Sequence, residues 1–104
     1  MATGYTYVWE FTVDKSARAE FEREYGPDGR WVALFRSAPG YLESLLLRDE
    51  AVPGRYLTVD RWQSQAAYRA FRANFAVQYA ALDRDCERLT QTEHALGSFT
   101  EIRR

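Results

Sequence analysis

Tyr5, Tyr7, Trp9, Phe11 and Val13 occupy every second position near the start of the chain, with Thr6, Val8, Glu10 and Thr12 between them. A period of two is what a strand with one buried face requires, so residues 5 to 13 are expected to form the first strand. The period then changes. Asp14 stands where a helix N-cap belongs, and Ala17, Phe21 and Tyr25 follow at four-residue spacing among charged residues, which predicts an amphipathic helix. Gly26, Pro27, Asp28 and Gly29 interrupt it, since proline cannot donate to a helical ladder and glycine admits turn dihedrals. A second short helical piece carries Trp31, Leu34 and Phe35 on one side and is closed by Pro39 and Gly40.

Residues 41 to 48, YLESLLLR, are rich in strand formers, and residues 55 to 62, RYLTVDRW, resume the alternation. Pro53-Gly54 between them is a turn signal, so the second and third strands should pair as an antiparallel hairpin. Ser64 is placed to cap the next helix. Tyr68, Phe71, Phe75, Tyr79, Leu82, Cys86 and Leu89 then recur every three or four residues, the clearest periodic signal in the chain. That spacing tolerates a bend near Asn74, so residues 65 to 90 are compatible with one helix or two. Residues 92 to 102, TEHALGSFTEI, alternate loosely and form the expected fourth strand, in which Gly97 marks a bulge or a close backbone approach.

The predicted order is βαββαβ, an α+β fold with a four-stranded antiparallel sheet and helices on one face. Both faces of the predicted strands carry apolar side chains. Leu45 and Leu47 lie on one face of the second strand and Leu42 and Leu46 on the other, while Leu57 and Val59 oppose Tyr56 and Trp62. Each large apolar side chain left in water forfeits about 1.5–3 kcal/mol. A homodimer that packs sheet on sheet is therefore the expected partner arrangement.

Composition narrows the function classes. The chain has 104 residues, 46% of them hydrophobic and 15% aromatic, which suits one domain spanning 1 to 104, and no repeat or linker divides it. With 14 basic and 15 acidic residues the formal charge is -1, and no long run of one sign offers a surface to nucleic acid or an anionic membrane. The lone Cys86 forms no intrachain disulfide and supplies no cysteine-based zinc site, and it falls on the apolar helix stripe as an expected inert, buried thiol. Met1 to Tyr7 has no basic segment followed by an apolar run, and no apolar stretch approaches the ~20 residues of a membrane helix, so a cytoplasmic location is expected.

GYLESLLLR, RYLTVDRW and WQSQAAYRAF, in this order of elements, resemble the antibiotic-biosynthesis-monooxygenase-like family. The resemblance covers nearly the whole chain. It implies a ferredoxin-like subunit, a dimeric α/β barrel, and a pocket in each subunit between sheet and helices. Enzymatic members oxidise aromatic polyketide or quinol-like molecules without metal or flavin, so no cofactor is expected; others cleave haem. The haem-degrading branch carries an asparagine, a tryptophan and a histidine at positions that fall here on Trp9, Phe71 and near Ala81, and none matches.

Within that frame, Tyr7, Trp9, Trp62, Phe71, Phe75 and Tyr79 could stack a flat polycyclic substrate, or equally could be core. Asp60 falls among inward-pointing neighbours of the third strand, where burial would raise its pKa and suit it as a base; alternatively it accepts hydrogen bonds from Arg61, a turn amide or a partner subunit. His94 is the other candidate base, since histidine is the side chain that ordinarily changes charge near neutral pH, although a lone histidine between Glu93 and Ala95 also fits a surface or interface position. No second histidine or cysteine completes a metal site. Arg69, Arg72, Asp83, Arg84, Asp85 and Arg88 read as a solvated helix face. The expected functions are therefore a cofactor-independent monooxygenase for aromatic molecules, a non-catalytic small-molecule binding dimer and, ranked lowest, a haem protein.

Overall fold

In the computed structural model, which describes residues 4–102, the alternating segments pair into one antiparallel sheet. Its strands are β1 (Tyr5–Thr12), β2 (Tyr41–Arg48), β3 (Arg55–Trp62) and β4 (Thr92–Thr100), in the order β2-β3-β1-β4. Between them lie α1 (Arg18–Tyr25), α2 (Arg30–Arg36), α3 (Gln65–Asn74) and α4 (Ala76–Cys86). This is the α+β, ferredoxin-like order that the pattern predicts. The two central strands, β1 and β3, bring the strongest aromatic alternation to the middle of the sheet.

Local chemistry sets the element ends. Asp14 caps a 3-10 turn, Lys15–Ala17, by accepting from the Ser16 amide at 3.1 Å, so α1 itself starts one turn later than the sequence suggests. Ser64 caps α3 as expected, its Oγ accepting from the Ala67 amide at 3.1 Å. The long periodic stretch is two helices, because Phe75 leaves the helical region at φ -116°, ψ 24°. A 3-10 turn at Glu87–Leu89 ends it. Gly40, at φ 89°, turns the chain from α2 into β2 so close to α3 that a Cβ there would meet the Ala67 methyl at 2.5 Å.

One face of the sheet is roofed by all four helices. Tyr5 and Phe11 of β1 and Tyr56 and Trp62 of β3 share a core with Phe21, Trp31, Phe35, Phe71, Leu82, Cys86 and Leu89. Trp62 and Phe21 have no exposed surface. Phe35 and Phe71 meet Trp62 at ring separations of 5.8 and 5.1 Å, spacings at which aromatic pairs attract beyond simple burial. The helix stripe is thus mainly a packing device.

The opposite face behaves differently. Val8, Leu47, Leu57, Val59 and Phe99 share it, because β1 residue Val8 pairs with Val59, Thr6 with Phe99, and Leu47 with Leu57. Leu45 is 46% exposed and Phe99 51% exposed. Arg55 pairs with Glu10 and Asp49, and Arg61 with Glu43 and Glu101, around these apolar groups.

Two bulges break the regular pairing. One lies at Leu96, where β4 slips against β1 beside Gly97, as the glycine suggested. The other lies at Leu42, between Tyr41, opposite Trp62, and Glu43, opposite Arg61. It corrects the regular alternation read from YLESLLLR: Leu42 is left exposed, while Leu46 alone joins the core.

Candidate active site

Between the sheet and the helices lies a cavity of about 380 Å³, the size range of ordinary small-molecule sites. Its floor is the alternating face of β1, Tyr7, Trp9 and Phe11, whose rings lie nearly parallel: Tyr7 to Trp9 at 5.8 Å and 23°, Trp9 to Phe11 at 6.3 Å and 25°. Tyr25, Trp31 and Phe35 from α1 and α2 and Tyr79 from α4 form the other aromatic walls. Trp31 and Tyr79 meet edge to face at 5.1 Å.

Polar groups enter this aromatic space from several elements. Asp60 and Thr58 rise from β3, Ser44 from β2, Arg72 from α3, Asp83 from α4 and Glu93 from β4. The Arg72 guanidinium lies over the Tyr79 ring at 4.0 Å and donates to the Tyr68 hydroxyl at 3.0 Å. No carboxylate pairs with it among the described residues. Burial, and after it the charges of Asp83 and Glu87, raise the Glu93 carboxyl above its ordinary range. Burial likewise holds the Tyr25 and Tyr79 phenols well above the usual phenol pKa, so both are neutral donors at physiological pH. The Trp31 indole nitrogen, also buried, has no acceptor in hydrogen-bonding geometry, its near neighbours being the Tyr25 hydroxyl and the Cys86 thiol.

Asp60 is the group set apart by its surroundings. Loss of water around it pushes its pKa up to about 6, against the downward pull of one hydrogen bond from Ser44. The Ser44 hydroxyl donates to Asp60 Oδ1 at 2.6 Å. Arg61 is not its partner, because the next residue of a strand points to the other face, where Arg61 binds Glu43 and Glu101.

The structure sorts the remaining candidates. Tyr7, Trp9 and Tyr79 border the cavity together with Asp60. Trp62 and Phe71 do not: both are buried in the core beside it. Phe75, with the edge of Phe71, lines a separate groove beside Ala38, Gly40 and Gln63. His94 pairs with Glu10 on the face turned away from the helices, so the sheet itself separates it from Asp60 and the cavity. Cys86 is buried, and burial raises its thiol pKa. Arg72 and Asp83, read from sequence as part of a solvated helix face, also border the cavity, Arg72 while staying exposed to solvent and Asp83 half-buried. The available signal was spacing: Arg72 is four residues after Tyr68 on the same face of α3, while Tyr79 reaches the same space from α4.

Among the described residues, no group of three or more His, Cys, Asp or Glu is arranged to hold a metal ion, and no helix is long and apolar enough to cross a membrane.

Residues 4–81 match the family model described as antibiotic biosynthesis monooxygenase. The chain belongs to that family. A point mutant of SnoaB, a cofactor-independent oxygenase from Streptomyces nogalater, is 30% identical to it, covering 99% of this chain and 97% of that one with a TM-score of 0.74. The SnoaB structure without that substitution superposes with a TM-score of 0.66 at 26% identity, over 99% and 97% of the two chains. PA3566 from Pseudomonas aeruginosa, 20% identical over 99% of this chain and 98% of that one, shares the fold with a TM-score of 0.71. No curated protein matches. In this member of the antibiotic biosynthesis monooxygenase family, the resemblance read from GYLESLLLR and RYLTVDRW lies in β2 and β3, the strands that bring Ser44, Thr58 and Asp60 to the cavity.

Proposed function

We propose that the protein is a cofactor-independent monooxygenase that oxidises an electron-rich, polyketide- or quinol-like aromatic molecule in the cavity between sheet and helices. The observation that carries this reading is Asp60: a carboxyl bordering an aromatic cavity, with its pKa held at about 6. Such a group is ionised at neutral pH yet basic enough to accept a proton, the compromise that general-base catalysis needs. The likeness to SnoaB, itself a cofactor-independent oxygenase, supports the same reading.

The chemistry balances without a further redox partner. Asp60 takes one proton from an activated ring methylene, and the resulting carbanion, stabilised by the aromatic system, gives its electrons to dioxygen. A carbon–oxygen bond forms. The O–O bond then breaks, one oxygen remaining as a new carbonyl and the other leaving as water with both methylene hydrogens. The protein's part is to hold the ring against Tyr7 and Trp9, exclude water and manage the proton. Neutral Tyr25 and Tyr79 are placed to donate hydrogen bonds to ring oxygens.

The reading includes a homodimer that covers Val8, Leu47, Leu57, Val59 and Phe99, and a cytoplasmic setting consistent with one buried, unpaired thiol. A single domain over residues 1 to 104 is part of it. Haem cleavage ranks below it, because the single histidine stands on the far side of the sheet.

Aerobic incubation with anthrone, followed by oxygen uptake and quinone absorbance, tests the proposal. Turnover should rise with pH through about 6 as Asp60 ionises. Saturable quenching of tryptophan fluorescence by anthrone without oxygen uptake would instead establish a binding dimer.

A further inference from the structure

The cavity carboxyl stands at the end of a chain of two hydroxyls. Ser44 donates to Asp60 Oδ1 at 2.6 Å, and the Tyr41 hydroxyl donates to Ser44 Oγ at 2.8 Å. In a regular strand, residues three apart point to opposite faces. Tyr41 and Ser44 nevertheless meet on the helix side, because the bulge at Leu42 absorbs one residue: Tyr41 comes opposite Trp62 and Ser44 opposite Asp60, which are two residues apart on β3. Bulges beside functional sites commonly re-aim a side chain in this way. The Tyr41 ring is then fixed by Trp62, edge to face at 5.3 Å, and by Phe35 at 5.6 Å.

The other carboxyl oxygen is left over. Among the described residues no donor reaches Oδ2 of Asp60, yet it is not a sealed orphan, a condition met only by the indole nitrogens of Trp31 and Trp62. Oδ2 therefore meets open space, and the open space that Asp60 borders is the cavity. We infer that Tyr41 and Ser44 are positioning residues, placed by the Leu42 bulge, that hold the Asp60 carboxyl by Oδ1 and leave Oδ2 to receive the ligand's acidic proton. The inference deepens the reading of Asp60 as proton acceptor and rests on it.

The other titratable groups around Asp60 are Tyr7 on β1, Tyr25 on α1, Arg72 on α3, Tyr79 and Asp83 on α4 and Glu93 on β4, with Arg36 and Glu43 near Tyr41. Apart from loss of water, only the Ser44 bond shifts Asp60. Removing that bond should thus be visible in the carboxyl's titration.

The test is 13C NMR titration of the Asp60 side-chain carboxyl in the intact protein, assigned by its disappearance in Asp60→Asn. Ser44→Ala should raise the midpoint by about one pH unit, the size of a hydrogen bond to a charged group. Ser44→Thr, which keeps the hydroxyl, should titrate like the unmodified protein. Tyr41→Phe, which keeps the ring packing, should raise the midpoint by about 0.3, since it only weakens the polarisation of Ser44. The acid limb of kcat/KM for anthrone oxidation should move with each midpoint.

An unchanged midpoint in folded Ser44→Ala overturns the inference. Should that variant fail to fold by circular dichroism, an unchanged midpoint in Tyr41→Phe together with a displaced one in Ser44→Thr overturns it instead. Midpoints that move as stated without oxygen uptake support the positioning role and reject the oxygenase. Fixed midpoints, with uptake abolished in Asp60→Asn, do the reverse.

Discussion

The two faces of the sheet are built from the same alternating strands but answer to different constraints. The helix-side face buries Tyr5, Phe11, Tyr56 and Trp62 and places one carboxyl, Asp60, among them. The far face presents Val8, Leu47, Leu57, Val59 and Phe99 within a frame of paired charges, Arg55 with Glu10 and Arg61 with Glu101. On the far face every prominent charge has a partner and the unsatisfied groups are apolar. On the helix side the group out of keeping with its apolar surroundings is a carboxyl, Asp60, held by a single hydrogen bond from Ser44. An uncovered apolar face calls for a second protein surface, whereas a desolvated carboxyl beside a cavity calls for a small ligand and a proton.

Replacing Asp60 by Asn gives the largest contrast between the faces. Oxygen uptake should fall at least ~100-fold with loss of the base. Stability should change in the opposite direction. An aspartate that titrates at 3.8 when unfolded and about 6 when folded binds its proton more tightly in the native state. Ionising it therefore opposes folding: the penalty is absent below pH ~4, grows as pH rises towards 6, and is fully present at pH 7. Asp60→Asn should accordingly gain about 1–3 kcal/mol in urea unfolding at pH 7, and the gain should vanish below pH ~4. A loss of stability at neutral pH would show that the carboxyl is a structural acceptor.

Trp62→Ala probes the core beside the cavity. Removing a fully buried tryptophan should cost about 3–5 kcal/mol of folding free energy, read as a lower denaturation midpoint. Its effect on turnover should follow stability, since Trp62 does not border the cavity. On the opposite face, Leu47→Glu places a charge opposite Leu57. Sedimentation should show a monomer with near-native circular dichroism, because Leu47 is 43% exposed and the proposed partner subunit is what would cover it. A dimer that persists would move the interface elsewhere. His94→Ala is the smallest change: turnover should stay within about twofold, as a group behind the sheet cannot reach the reacting proton.

The strand and helix periods were legible for simple reasons. Tyr5 to Phe11 alternate because β1 is central and roofed on one side, and Phe71, Leu82, Cys86 and Leu89 recur because α3, α4 and the turn after them bury one stripe. Asp60 was legible too, since alternation alone puts it beside Trp62 on the helix side. Trp62, Phe71 and Phe75 were indistinguishable in sequence from Tyr7, Trp9 and Tyr79, because burial in a core and exposure to a cavity select the same aromatic residues. His94 drew notice through its chemistry, whereas its reach depends on which face β4 turns inward after the bulge at Leu96.

The residues alone therefore determined the order of elements, the two-faced sheet and the family, since periods of two and 3.6 act over a few neighbours and leave their mark directly in the chain. Tertiary structure decided the site. A single bulge at Leu42 turns Tyr41 and Ser44 to the same side, the fold of α3 and α4 over β1 carries Arg72 and Tyr79 above Trp9, and the sheet divides His94 from Asp60. Such choices depend on register and on contacts between residues far apart in sequence, where shifting one position exchanges the two faces.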